Sequence, residues 1–322
     1  MNPASSNRFA PFITGTRFGP TTCRRRGLEL QVACLAAFMS VIVEPAAADV
    51  YPREILPQVF ETQPSHTGGD GIITHTIRSE YQNGENAVHV LVPAALEPGR
   101  HFPVLYVLPV YPDSAPARAG LEEVRQRQLH ERFGLICVAP AFEQMPWYAD
   151  HPSNPRDRQE SHLLKAVLPF IERSYPARRE ASGRLLVGFS KSGWGTFSLL
   201  LRHPDTFGRA ASWDAPFTMA QPGRWGTKRV WPTAADFAPY DVVRLLGDRA
   251  PLLRQQPARL AVLGHGLFRD DDIRLHEQMA ALGIPHYWDH GPERKHTWES
   301  GWLESAVAAL ASPEMRTKSA KE

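Results

Sequence analysis

Cysteine is almost missing from this chain, with three in 322 residues, at Cys23, Cys34 and Cys137. The first two lie in an N-terminal stretch expected to be removed. A single remaining thiol can form neither an internal disulfide nor a metal cluster, so Cys137, inside the apolar run LICVAP, is expected in the core. A surplus of one charge is missing too: 36 Lys and Arg stand against 34 Asp and Glu, for a formal net charge of +2. There is no basic block interleaved with aromatics, so nucleic acid is not expected as a partner. Long apolar runs are absent as well. The one from about Leu30 to Val43 covers 14 positions, short of the ~20 residues that a bilayer span needs, and no stable membrane span is expected in the mature chain. Phosphate loops, dinucleotide fingerprints, internal repeats and His/Asp/Glu spacings typical of metal sites are also lacking, so neither cofactor nor metal is expected.

What remains is the composition of an ordinary soluble enzyme, with plentiful proline (29) and tryptophan (8) and enough residues for one large domain or two small ones. Arg24, Arg25 and Arg26 precede the apolar stretch, and EPAAADV then offers small residues at an A-x-A-like cleavage site. Residues 1–48 are therefore expected as a signal peptide cut after Ala48, with the mature protein periplasmic or extracellular. A membrane anchor or an ordinary helix is the competing reading. Residues 49–70 form an N-terminal extension, 71–311 the main domain and 312–322 a flexible tail.

From Gly71 the chain alternates strand-like and helix-like segments. GIITHTIRSEY and NAVHVLVP flank Asn83-Gly84, a hairpin signal. FPVLYVLPV, LICVAPAF, RLLVGF, RAASW, RLAVLGHG and PHYWDH are further strand candidates, separated by helical patterns. The helix at 158–175 carries Pro169, a candidate kink. This alternation predicts an α/β fold with a mostly parallel central sheet flanked by helices. Residues 218–257, with Trp225, Trp231 and several prolines, interrupt the rhythm and are expected as a short cap or long loop.

In LLVGFSKSGWGTFSLLL, residues 185–201, small residues crowd a junction between a strand and a helix. A serine on so tight a turn needs neighbours without bulk, and Gly188, Ser192 and Gly193 supply that space. The turn lifts the Ser190 hydroxyl above the sheet and points helix N–H groups at any oxyanion formed there. The pattern is G-x-S-x-G with Ser192 in place of the second glycine. Ser190 is therefore the candidate nucleophile, with a helix-capping serine as the bland alternative. Such a serine needs a histidine base, and His296, in a polar loop after the final strand candidate and before the final helix, is the best placed.

FPVLYVLPV, MPWYAD, GFSKSG and KHTWESGW, in that order, resemble the third strand, the Trp-Tyr loop, the elbow and the His-x-Trp-x-x-x-Trp ending of one family. It is the esterase branch of the α/β-hydrolase superfamily, which includes esterase D-like, feruloyl-esterase-like and antigen 85-like proteins. The resemblance covers about residues 71–311 and implies an α/β-hydrolase fold and a serine esterase using Ser190 and His296. The family usually has His-Gly after the third strand, where an N–H completes the oxyanion hole; this chain has Pro109-Val110-Tyr111. Proline has no N–H, so the donor is Val110 or Tyr111, together with the amide of Lys191.

The acid departs from the family pattern. Its expected place falls close behind RLAVLGHG, where this chain offers LFRDDD somewhat later. Asp271 is the first choice, Asp270 shares the triplet, and Asp214, ending the strand after the elbow, competes. Trp147, Tyr148, Trp194 and Trp298 are candidates for lining a flat acyl or sugar pocket. The implied activity is hydrolysis of a small-molecule or carbohydrate-linked carboxylic ester through an acyl-enzyme. An acyltransferase on the same site and a catalytically inactive binding protein of this fold are the alternatives.

Overall fold

Short apolar runs bounded by glycine, proline and polar clusters become the strands of this protein, seen in a computed structural model that describes residues 60–112, 118–313 and 315. They are β1 (Phe60–Thr67), β2 (Ile73–Arg78), β3 (Asn86–Leu91), β4 (Val104–Val107), β5 (Ile136–Pro140), β6 (Arg184–Phe189), β7 (Arg209–Trp213), β8 (Leu260–His265) and β9 (His286–Glu293). All join one sheet in the order β1-β2-β3-β5-β4-β6-β7-β8-β9. Pairing is antiparallel from β1 to β5 and parallel beyond. The expected signal peptide, residues 1–48, lies outside the described residues.

The helices are α1 (Ala119–Gln126), α2 (Leu129–Phe133), α3 (Gln159–His162), α4 (Leu168–Ser174), α5 (Ser190–Arg202), α6 (Ala234–Phe237), α7 (Val242–Leu253), α8 (Arg269–Ala281) and α9 (Trp302–Ala311). Strands β4 and β6 are buried along their whole length, because helices cover both faces of the sheet. The period of two sorts their side chains. Val104, Tyr106 and Leu186 join the apolar layer under α4, α5, α7 and α8, whereas Leu105, Val107, Leu185 and Val187 join that under α1, α2 and α9. Cys137 is buried in the second layer. Pro169 acts on its own helix: a widened π turn at Leu163–Val167 separates α3 from α4 directly before it. Its missing N–H leaves the carbonyl four residues back without an α-helical donor.

Three expectations change. The 49–70 extension includes β1, an edge strand too polar and exposed to show an apolar alternation, with Pro64 at an irregular point of its pairing. The later part of the 218–257 interruption is not a cap, because α7 is the crossover helix from β7 to β8 and packs on α5. The excursion proper is 218–241. At the far end, the Arg209 guanidinium donates to the carbonyls of Leu310, Ser312 and Pro313, and Met315 is buried. Met315 is thus packed, and 314 and 316–322 lie outside the described residues. The carboxyl ends of β4, β6, β7 and β8 converge on one edge, where open α/β sheets place their sites.

Candidate active site

Ser190 stands between β6 and α5 with φ of 54°. A non-glycine residue there costs roughly 1–2 kcal/mol, so the surroundings must hold it. They do so with hydrogen bonds. The Ser190 N–H donates to the Asp214 carbonyl at 3.1 Å. The Ser192 hydroxyl, in the place of the motif's second glycine, donates to the Phe189 carbonyl at 2.9 Å and accepts from the Phe189 N–H at 3.2 Å, tying the turn from inside. Gly188 and Gly193 are required by contact. A Cβ at Gly188 would lie 2.6 Å from the Ser192 backbone, and one at Gly193 would lie 2.1 Å from Ser212 Oγ on β7.

Asp214 ends β7, also with a left-handed backbone at φ of 50°. Its Oδ1 accepts the N–H groups of Gly266 (2.9 Å) and Phe268 (2.6 Å), and its Oδ2 meets His296 Nδ1 at 2.5 Å. Burial pushes this carboxyl up. The His296 hydrogen bond and the Phe268 amide outweigh that and hold it below the usual carboxylate range. Gly266 allows the approach, since a Cβ there would sit 2.6 Å from Asp214 Oδ2. His296 is positioned by the two tryptophans that follow it. Trp298 packs edge-on against Phe189 and Trp213, and Phe189 meets the imidazole edge at 5.0 Å between ring centroids. Trp302 fills the space left by Gly264 and Gly291, where a Cβ would come within 1.8 and 2.0 Å of its ring.

The expected pairing of Asp271 with His296 is not formed. Asp271 Oδ1 accepts from the Thr218 N–H (2.9 Å) and hydroxyl (2.5 Å), holding the start of the 218–241 excursion. Asp270 is exposed beside Arg269. Asp272 is fully buried and accepts the Ala215 N–H at 3.4 Å; burial, then the Asp214 charge, hold its carboxyl well above the usual range. The triplet opens α8, so its side chains follow a helix turn and face three directions, none of them toward His296.

A cavity of about 370 Å³ is lined by Ser190, His296, Val110, Tyr111 and Lys191. Its apolar walls correct the substrate-pocket expectation. Trp147, Tyr148 and Trp194 are buried in the core beneath it, and Trp298 alone of the four lines it. Trp194 is enclosed by Trp147, Trp231 and Phe237, ring contacts each worth about 0.5–1.5 kcal/mol. Trp225, Leu267 and Phe268 line the cavity instead. Their signals were an aromatic in the Trp- and Pro-rich interruption and an apolar pair beside the acidic triplet.

Tyr148 has a different task. Its ring lies against α5 where a Cβ on Gly195 would come within 2.2 Å, and its hydroxyl donates to the Pro109 carbonyl. In a trans peptide the carbonyl and the next N–H point in opposite directions. With the Pro109 carbonyl drawn down to the buried Tyr148, the Val110 N–H is turned away from it. Among the described residues, no group of three His, Cys, Asp or Glu is placed to hold a metal ion, and no helix is long and apolar enough to cross a membrane.

Comparisons with known proteins place the family and the fold. A family model described as "Putative esterase" matches residues 79–311. Esterase MT1326 of Mycobacterium tuberculosis is 28% identical over 136 residues, which is 41% of this chain and 29% of that protein. The chain thus matches less than a third of the length of this curated relative. Among solved structures, a ferulic acid esterase superposes with a TM-score of 0.61 at 21% identity, covering 74% of this chain and 96% of its own. A fluorophosphonate-binding serine hydrolase of Staphylococcus aureus gives 0.63 at 14% identity, covering 78% and 100%. MPT51 of Mycobacterium tuberculosis gives 0.58 at 16%, covering 77% and 98%. The family match spans most of the chain and the solved structures share its sheet and flanking helices, so the chain belongs to the esterase family of the α/β-hydrolase fold.

Proposed function

We propose that this protein is an exported serine esterase that cleaves carboxylic esters through an acyl-enzyme, with Ser190 as nucleophile, His296 as base and Asp214 as acid. The observation that carries the reading is the 2.5 Å contact of Asp214 with His296 Nδ1, beside a strained Ser190 in the same cavity. Asp214 keeps the proton on Nδ1, so Nε2 is free to accept the Ser190 proton as Oγ attacks the ester carbonyl. The developing oxyanion is met by the N–H groups of Lys191 and Val110, with the Val110 peptide oriented by Tyr148. Collapse breaks the ester bond, and the leaving alkoxide takes the proton from His296. Water then gives His296 a proton, attacks the acyl carbon and releases the carboxylic acid, returning the proton to Ser190.

A fluorophosphonate probe tests the assignment. It should label the wild-type protein once, and Ser190→Ala should abolish both labelling and hydrolysis of a short-chain chromogenic ester. Equal labelling of the variant would overturn it. Export, proposed from the basic and apolar leader with its small-residue cleavage site, is checked by intact mass from a secreting bacterial host. A chain beginning near Asp49 is expected, and full-length cytosolic protein would refute it.

A further inference from the structure

The ester chemistry engages only the backbone of Lys191 and leaves its side chain without a task. That side chain stands in an unfavourable place. It is in the first turn of α5, where a cation opposes the helix dipole by about 0.3–1 kcal/mol. Burial pushes its ammonium below the usual lysine range, and among the described residues no charged neighbour acts on it. The ring of Tyr111 offers partial compensation, with Nζ 5.1 Å from its centroid. Glu299 lines the same cavity but lies exposed on the loop that carries His296.

Strand order decides which part of a substrate meets this cation. Ser190 heads the helix after β6, which has β4 on one side and β7 on the other. His296 is bonded to Asp214 at the end of β7, and Tyr111, under the Lys191 ammonium, follows β4. The imidazole and the ammonium therefore flank the nucleophile from opposite sides. The leaving alkoxide has to depart toward His296, which protonates it, so a group reaching Lys191 belongs to the acyl part. Tyr111, partly exposed on the cavity wall beneath Lys191, suits an apolar linker between the ester carbonyl and that group.

We propose that Lys191 selects esters whose acyl group ends in an anion, the monoesters of dicarboxylic acids being the simplest class. The inference rests on Ser190 and His296 being the nucleophile and base. Its test compares kcat/KM for monomethyl adipate with that for methyl hexanoate, and for 4-acetoxybutanoate with that for butyl acetate. The second pair carries the anion on the alcohol side, where Arg224 stands over Trp225 on the other wall. Wild type should prefer adipate to hexanoate. Lys191→Met should lower that ratio by about tenfold to a hundredfold, the range for losing one charge-assisted hydrogen bond, while Lys191→Arg keeps most of it. An unchanged ratio in Lys191→Met, or a charge preference confined to the alcohol-side pair, overturns the inference. A wild type that labels at Ser190 with fluorophosphonate but cleaves none of the four esters overturns it too and leaves the nucleophile standing. If Ser190→Ala still hydrolyses them, the underlying mechanism falls instead.

Discussion

Replacing Asp214 with asparagine should nearly abolish turnover while leaving the protein folded. The carboxylate engages three nitrogens, the amides of Gly266 and Phe268 at Oδ1 and His296 Nδ1 at Oδ2. An asparagine has one oxygen acceptor. If that oxygen stays with the two amides, the new NH2 faces Nδ1, and the imidazole must turn Nδ1 into an acceptor with its proton on Nε2. It can then no longer take the proton of Ser190. In serine proteases this loss of tautomer costs about 10⁴ in kcat, which at 1.36 kcal/mol per decade is about 5.4 kcal/mol of transition-state stabilisation. The stability cost is smaller, about 1.5–3 kcal/mol for one charge-assisted hydrogen bond. Asp271→Asn is the matched control, because it weakens only the bonds to Thr218 and should keep kcat within about tenfold, or ~1.4 kcal/mol. Steady-state kinetics on a chromogenic ester, with thermal melts of both variants, separate the two effects. An inactive Asp271→Asn beside an Asp214→Asn retaining kcat within tenfold would refute the assignment.

Three further outcomes are expected. Asp272 keeps a raised pKa when folded, so the folded state holds a proton that the unfolded chain releases above about pH 4, and the residue lowers stability as pH rises. The melting-temperature gain of Asp272→Asn over wild type should therefore be absent below pH 4 and grow toward neutrality; a gain that is flat or shrinks with pH contradicts this. Tyr148→Phe keeps the ring against Gly195 but frees the Pro109 carbonyl, and should lower kcat by about tenfold with KM and Ser190 labelling nearly unchanged. Wild-type kcat would deny Tyr148 its positioning role. Gly266→Ala places a Cβ 2.6 Å from Asp214 Oδ2 and 2.7 Å from the Arg294 carbonyl, and displacing the acid by about 1 Å should cost about 10²-fold in kcat. A fully active variant would show that the carboxylate has room to move.

The sequence by itself determined whatever depends on neighbours along the chain. Buried parallel strands such as RLLVGF and RLAVLGHG announce themselves as apolar runs, and the glycines around Ser190 announce the turn, because backbone crowding there admits no larger residue. The tight packing of Trp302 on two glycines explains why KHTWESGW is a readable ending. β1 is not legible in the sequence, since an exposed edge strand with a proline has no apolar period to display. Only the tertiary structure decided which carboxylate serves His296. Asp214 and His296 are 82 residues apart, and they meet because β7 lies directly beside β6 and the His296 loop folds back over it. The same holds for the aromatic residues: a tryptophan in a loop reads alike whether it lines a cavity, as Trp225 does, or fills the layer beneath it, as Trp147 does. Side-chain type states what a residue can do, and strand order determines what it can reach.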